Sequence, residues 1–396
     1  MKCTPLSFDV NLRPEGFVLD LDSVFASLCR LHDGRDARGL RYALVTVLVF
    51  ILLAKLAGED GLRGIAQWVR LRKEQLADAL GLTKAQSPHA TTYSRVLRYA
   101  VDIDEFERVV REFFAELPGA GKSVTVALDG KTLRGTIPAG ETRGDHLLAA
   151  YLPEEGWVLM QMEVGGHENE IPAAIRMVKC LDLRNKIVTA DALLTHRQLS
   201  VDIVDGGGDF IWTVKENQPK LRQDIEALFE PEACAPGFSP TKKDFETAKT
   251  CEKGHGRMEW RTLTASSMLK DYVAWPCAEQ VFRLDRRFVR IRDGKVGEET
   301  TYGVTSLTCE QANAPQLLAA IRAHWGIENG LHYRRDETFR EDRCRITGQG
   351  AHAMAVINNL LLGLLRRRGV VNVPDARRYY AANLEEAVNL LTLSPV

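Results

Sequence analysis

The chain has 396 residues, with 52 Lys+Arg against 53 Asp+Glu and a formal net charge of −1. At roughly 150 residues per domain there is room for two or three cores, and 45% apolar with 27% charged residues exclude a disordered, collagen-like or disulfide-scaffold protein. Near-neutrality excludes a uniformly basic nucleic-acid coat, but not local basic patches.

The N-terminus carries Lys2, Asp9, Arg13 and Glu15 with no apolar stretch, so no signal peptide is expected. Residues 17 to about 118 read as all helix. Leu44, Leu48, Ile51, Leu52 and Leu56 fall at helical spacing. The apolar run Tyr42–Ala54 stops at Lys55, short of the ~20 residues a membrane span needs, and reads as a buried core helix. Ile65, Trp68, Val69 and Leu71 mark a further helix, and Leu76–Leu80 another, closed by Gly81. Ser87-Pro88 signals a helix start with Thr91 and Thr92 as candidate caps. The helix that follows suits the second helix of a helix-turn-helix, with Ser94, Arg95 and Arg98 toward a groove; any short helical bundle gives the same spacing. Pro118-Gly-Ala-Gly121 closes the segment, and a domain boundary is expected there, giving an N-terminal helical domain over 1–118 and a second domain over 119–396.

Beyond the boundary the periodicity becomes that of strands. Ser123–Leu128 alternates and ends at Asp129-Gly130; Leu147–Leu152 and Trp157–Val164 are joined by the turn-like Pro153-Glu-Glu-Gly156. Ile171–Leu181 is helical, Lys186–Ala190 a strand ending at Asp191, Thr195–Val204 a helix and Asp209–Val214 a strand. The order β-β-β-α-β-α-β predicts a mixed α/β sheet with helices on its faces. A helix over Leu221–Leu228 opens a strand-rich insertion spanning about 219–312, with strands at Arg257–Ala265, Gln280–Ile291 and Thr300–Leu307. Helices are expected again from Ala314 to about Phe339 and over Ala351–Arg367. The eight cysteines are scattered and never form C-x-x-C, which fits a reducing cytosol better than a disulfide frame or zinc ribbon.

Asp129 and Asp191 each end a strand, and ligands of open α/β sheets collect at the carboxyl ends of strands. Each also has a plain reading, Asp129-Gly130 as a hairpin turn and Asp191 as a loop acid before a helix. Glu328 follows Leu317, Ile321 and Trp325 at i, i+4, i+8 and i+11, which places it on the apolar stripe of its helix, unless it sits at the stripe's edge and pairs with Arg322 or Arg335. Three carboxylates at one sheet edge are what Mg²⁺ or Mn²⁺ takes, and two such ions clamp the attacking and leaving oxygens of a phosphodiester displacement. His324 and His332 flank Glu328 at four-residue steps, but such steps drift about 40° each, so zinc is not expected.

The stretches Ala127-Leu-Asp-Gly-Lys-Thr-Leu-Arg-Gly135, His167-Glu-Asn-Glu-Ile171, Val188-Thr-Ala-Asp-Ala192, Lys215-Glu-Asn-Gln218, Lys253-Gly-His-Gly-Arg257 and His324-Trp-Gly-Ile-Glu-Asn329 resemble, in this order, the DDE transposases of bacterial insertion sequences, and more narrowly the subgroup containing the H-repeat-associated proteins. The resemblance runs from about residue 20 to 367. It implies a ribonuclease H-like catalytic domain whose DDE triad, here Asp129, Asp191 and Glu328, binds two Mg²⁺ ions, with Mn²⁺ as a substitute. It also implies a β-rich insertion before the last catalytic helix and an accompanying N-terminal helical domain. The implied activity is cleavage at element ends and transfer of the freed 3′-OH into target DNA, by a homodimer or larger multimer on DNA in the cytoplasm, without a membrane. A repurposed, inactive DNA-binding relative and a ribonuclease H-like nuclease are the alternatives. The wider superfamily's Tyr-x2-Arg-x3-Glu-x6-Lys signature is only partly kept, with Ile321, His324, Glu328 and Arg335 at its positions.

Candidate DNA contacts are Lys131 and Arg134 beside Asp129, Lys215 with Asn217 and Gln218 after the fifth strand, His255 and Arg257 in a Gly-flanked loop, His324 and Arg335 around Glu328, and Arg95 and Arg98 in the helical domain. Arg283, Arg286, Arg287, Arg290 and Arg292 crowd one insertion strand, read either as a solvated face or as a phosphate surface with Arg287 at its centre.

Overall fold

The computed structural model describes residues 18–394 except 37, 39, 119, 123, 167, 232–241 and 255. In chain order the helices and strands are α1 (Val24–Leu28), α2 (Leu44–Leu56), α3 (Leu62–Leu71), α4 (Lys73–Ala79), α5 (Ala90–Arg95), α6 (Ile103–Glu116), β1 (Thr125–Thr132), β2 (His146–Leu152), β3 (Trp157–Val164), α7 (Glu170–Cys180), β4 (Ile187–Ala190), α8 (Arg197–Asp205), β5 (Asp209–Val214), α9 (Pro219–Phe229), β6 (Glu246–Gly254), β7 (Arg257–Ser266), β8 (Gln280–Arg290), β9 (Val296–Thr305), α10 (Ala314–Ile327), α11 (Gln349–Arg367), α12 (Val373–Ala382) and α13 (Leu384–Thr392). The class is the mixed α/β expected, with helices first, then a sheet in the order β3-β2-β1-β4-β5-β9-β8-β7-β6.

The chain forms two compact units whose segments interleave. One takes residues 1–122, 130–166 and 327–396; the other takes 123–129 and 167–326.

In the first unit, α2 is buried along its whole length, which explains why it is apolar on every side. Side-chain caps start several helices: Ser23 Oγ accepts from Ala26 N at 3.2 Å, and Asp102 Oδ1 from Glu105 N at 2.9 Å. At α5 the cap is His89, whose Nδ1 accepts from Thr91 N at 3.3 Å, and not Thr91 or Thr92; the helix begins at Ala90, before both threonines. After α5 the chain widens into a π-helical turn over Val96–Ala100. The β2–β3 hairpin turns at Gly156, whose N–H donates to the Leu152 carbonyl at 2.7 Å. The C-terminal helices, beyond the reach of the sequence reading, close this unit: Asp20 N donates to the Thr392 carbonyl at 2.9 Å and Ser394 N to Asp20 Oδ2 at 2.7 Å.

In the second unit, β1, β4 and β5 run parallel, with β9 antiparallel to β5 and β8, β7 and β6 continuing outward as a meander. The strands expected in the insertion are present, and β6 is added to them. β6 evaded the reading because only Ala248 of its residues is buried. β1 does not stop at Asp129-Gly130; it continues to Thr132, so that dipeptide is not a hairpin turn. A reciprocal cap begins α10. Asn313 Oδ1 accepts from Gln316 N at 3.1 Å, and Gln316 Oε1 accepts from Asn313 N at 2.9 Å. Leu317, Leu318 and Ile321 of α10 join Leu263, Ala265 and Phe282 of the meander in one apolar cluster.

Candidate active site

Asp129 and Asp191 occupy equivalent places on neighbouring strands. The parallel register of β1 and β4 runs from Thr125↔Ile187 to Leu128↔Ala190, and the two aspartates are the next residue on each strand. Adjacent strands lie about 4.8 Å apart, and residues in register share a face, so the two carboxylates leave one edge of the sheet side by side. Asp191 is exposed, and its Oδ1 accepts from Ala192 N at 2.6 Å, which orients the carboxylate at the start of the turn Ala192–Leu194.

Other groups of the same unit surround this edge. Lys215 Nζ stands 3.5 Å from Asp191 Oδ1, with both side chains largely exposed. Asn217 Nδ2 donates to the Ala192 carbonyl at 2.6 Å, and Gln218 Nε2 to the Thr195 carbonyl at 3.2 Å. These two amides hold the loop behind Asp191 and are not free to line the edge. His324 of α10 meets Thr189 Oγ1 through Nδ1 at 3.1 Å. Thr189 lies two residues before Asp191 and so points to the same face of β4.

Glu328 belongs to the other unit, two residues past the point where the chain crosses into it. It is exposed, and opens a π-helical turn over Glu328–His332, followed by a second over Arg334–Thr338. The expectation of a carboxylate on a buried stripe is therefore corrected. The apolar cluster of α10 ends at Ile321, and Trp325, one turn on, is 57% exposed. The inward positions are taken instead by Ile327 and Leu331.

The basic residues expected to touch phosphate beside the acids have other employment. Arg335 is wholly buried: Nε donates to Glu341 Oε2 at 2.8 Å and Nη1 to Gln161 Oε1 at 3.0 Å. It is a core residue, not a phosphate contact, because Glu341 supplies the counter-charge and Asn358 Nδ2 donates to that carboxylate's other oxygen at 2.8 Å. Burial alone would raise the Glu341 carboxyl, but the Arg335 charge and hydrogen bond, with Asn358 and Lys131, hold it below the ordinary range. Lys131 is also buried, with Nζ 2.5 Å from Asp336 and 3.8 Å from Asp342, so it too is committed within its unit. Arg134 stays exposed, 3.8 Å from Asp342.

Comparison with known proteins decides the family. A model described as "Transposase DDE domain" matches residues 120–364, and one described as "DDE_Tnp_1-associated" matches residues 25–114. The chain belongs to the DDE transposase family. Similar proteins include "Putative transposase YncI" of Escherichia coli O157:H7, 28% identical over 88% of both chains. "H repeat-associated putative transposase YhhI" of Escherichia coli (strain K12) is 24% identical over 93% of this chain and 96% of its own. Among solved structures, that titled "Cryo-EM structure of piggyBac transposase synaptic complex with hairpin DNA (SNHP)" aligns with 92% of this chain and 77% of its own, at TM-score 0.41 and 12% identity.

The insertion of this transposase does not present a bare arginine surface. On β8, Arg283 pairs with Asp285 at 2.9 Å, Arg287 with Glu298 at 3.3 Å and Arg290 with Asp293 at 3.0 Å. Arg286 pairs with the buried Glu259, as do Arg257 at 2.9 Å and Arg261 at 2.7 Å. Alternating charges on neighbouring strands produced this ladder, which a count along β8 alone misses. His255 lies outside the described residues. Arg95 is exposed on α5, while Arg98 is half-buried and donates from Nη2 to Thr347 Oγ1 at 3.4 Å.

Members of this family generally use a divalent metal. Asp129, within β1, and Asp191, just past the end of β4, offer the oxygen donors that a hard cation takes. Among the described residues, no three His, Cys, Asp or Glu side chains come together as a metal-holding group.

Proposed function

We propose that this transposase catalyses Mg²⁺-dependent strand cleavage at the ends of its element, followed by attack of the freed 3′-OH on target DNA. The observation that carries the proposal is that Asp129 and Asp191 each follow directly on Leu128↔Ala190, the last registered pair of the parallel strands β1 and β4. In this reading Asp129, Asp191 and Glu328 are the acids that would hold divalent metal. When bound, the metal supplies charge neutralisation at phosphorus and lowers the pKa of the attacking hydroxyl or water. The protein's own residues orient the substrate. Ala192 N–H fixes the Asp191 carboxylate, and Lys215, exposed beside it, is placed to leave Asp191 for a scissile-strand phosphate. His324, which meets Thr189 Oγ1 on the strand leading to Asp191, is a further candidate contact for the same DNA strand.

The sequence modules take separate tasks in this reading: 119–396 performs the chemistry, with 219–312 as its insertion, and 1–118 assists in holding DNA. Two copies bridging two ends would form the working assembly. The test is incubation of the full-length protein with its own element ends and Mg²⁺. Wild type is expected to nick the ends, and Asp191→Asn to bind them with nicking at background. Equal signals from both proteins would overturn the catalytic reading and leave the non-catalytic DNA-binding relative.

A further inference from the structure

The first unit contains a group of arginines that the sequence pattern did not bring together. The loop after the second π-helical turn carries Arg340, Arg343 and Arg345, all exposed. It is tied on one side to the turn holding Arg134, whose N–H donates to Asp342 Oδ1 at 3.2 Å. Gly135 lies so close that an added Cβ would sit 2.1 Å from the Cys344 carbonyl oxygen. On its other side the loop meets Arg98, which donates to Thr347. At Gly350 an added Cβ would lie 2.9 Å from Arg98 Cγ, so the two segments are in direct contact. Gly348 N donates to Asp145 Oδ2 at 2.8 Å and fixes the far end of the loop.

Three of the four acids nearest the loop are already engaged, the exposed Glu337 being the exception. Glu341 serves Arg335 and Asn358, Asp336 serves Lys131, and Asp342 lies 3.8 Å from both Lys131 and Arg134. Among the described residues, Arg95, Arg340, Arg343 and Arg345 take part in no ion pair. This is the reverse of β8, where Arg283, Arg286, Arg287 and Arg290 each have a carboxylate within the sheet. An uncompensated set of guanidinium groups on a surface attracts a polyanion, and arginine's planar fork matches phosphate oxygens two at a time.

We infer that Arg340, Arg343 and Arg345, with Arg95, Arg98 and Arg134, form the face that grips the phosphate backbone of duplex DNA, in preference to the arginines of β8. The inference rests on the reading of DNA as substrate, but not on catalysis. Sequence-independent binding is therefore measured without metal, on a short labelled duplex unrelated to the element, across a salt series. Each phosphate contact removed lowers the steepness of log K against log [salt] by about 0.9, so Arg343→Ala/Arg345→Ala is expected to reduce the slope by about 2. Arg343→Lys/Arg345→Lys keeps the charges and is expected to restore most of it, while Arg283→Ala/Arg290→Ala leaves it unchanged. All six substitutions are at the surface, and unchanged melting curves confirm the fold of each variant. An unaltered slope in the loop variant, an equal loss in the β8 variant, or no duplex binding by wild type would overturn the inference. Because metal is absent, a protein that fails to nick its ends can still satisfy this test, and one that nicks them can still fail it.

Discussion

At residue scale, the clearest contrast is between Asp191 and Arg335. Asp191 was legible because a short apolar strand ending in an acid has a fixed geometric meaning: the side chain leaves the carboxyl edge of the sheet. An arginine seven residues after a glutamate has none. Whether Arg335 faces DNA or the core depends on Gln161 of β3, which lies 174 positions earlier in the chain, and on Glu341 across the following turn. The Arg335–Glu341 pair also sets a stability expectation. Glu341→Gln leaves a buried guanidinium without its counter-charge and is expected to cost about 3–5 kcal/mol, read as a fall in denaturation midpoint. The pH dependence has a definite sign. The Glu341 carboxyl is lower in the folded protein than its ordinary 4.5, so its contribution is complete above that value. As pH falls below it toward the depressed folded value the contribution is lost. Wild type should lose stability over this acid range more steeply than Glu341→Gln, as denaturant titrations at successive pH values would reveal.

Among elements, short apolar strands bounded by turn residues were readable from sequence, and β3 and β5 have the bounds expected of them. β6 was not, because a strand at the margin of a meander covers little and carries little apolar signal. The meander also relies on a close approach invisible in any pattern. At Gly303 of β9 an added Cβ would lie 2.0 Å from Phe282 Cζ and 2.4 Å from the Trp212 carbonyl oxygen. The aromatic ring of β8 fills the place of a side chain. Gly303→Ala must displace Phe282 or part β9 from β5, and an overpacking cost of about 1–3 kcal/mol is expected from unfolding curves. A glycine in an apolar strand usually reads as a weakness; here its neighbour supplies what it lacks.

For the molecule as a whole, the sequence suggested modules in series, and the fold weaves them. The helices before residue 122 share a unit with the hairpin β2–β3 and with everything after residue 326. Arg377 of α12 makes the dependence concrete. Its Nε donates to the Lys55 carbonyl at the end of α2 at 2.9 Å, its Nη2 to Asp60 at 2.7 Å, and its guanidinium lies over the Phe339 ring. A chain ended after Arg367 loses this group, and uncovers α2 where α12 and α13 pack on it. Such a protein is expected to lose its cooperative thermal transition and to elute as aggregate, by circular dichroism melting and size-exclusion chromatography. No local pattern announces such long-range dependence, since an apolar helix such as α2 does not say which later segment will cover it. The near-zero net charge finds its explanation at the same scale. Four arginines of β8, Arg283, Arg286, Arg287 and Arg290, are each matched by a carboxylate nearby, so a dense basic run adds little net charge.

The successive π-helical turns Glu328–His332 and Arg334–Thr338 have a consequence for how this chain can change over generations. A π turn holds one residue more than an α turn, so the angular position of everything beyond it is set by a count and not by side-chain identity. Losing one residue from the first of them would swing Arg335 by about 100° relative to α10. Many replacements of exposed residues such as Asn329, Tyr333 and Glu337 would leave that side chain where it is. In this stretch, one lost codon is expected to do more damage than replacing an exposed residue such as Tyr333 or Glu337.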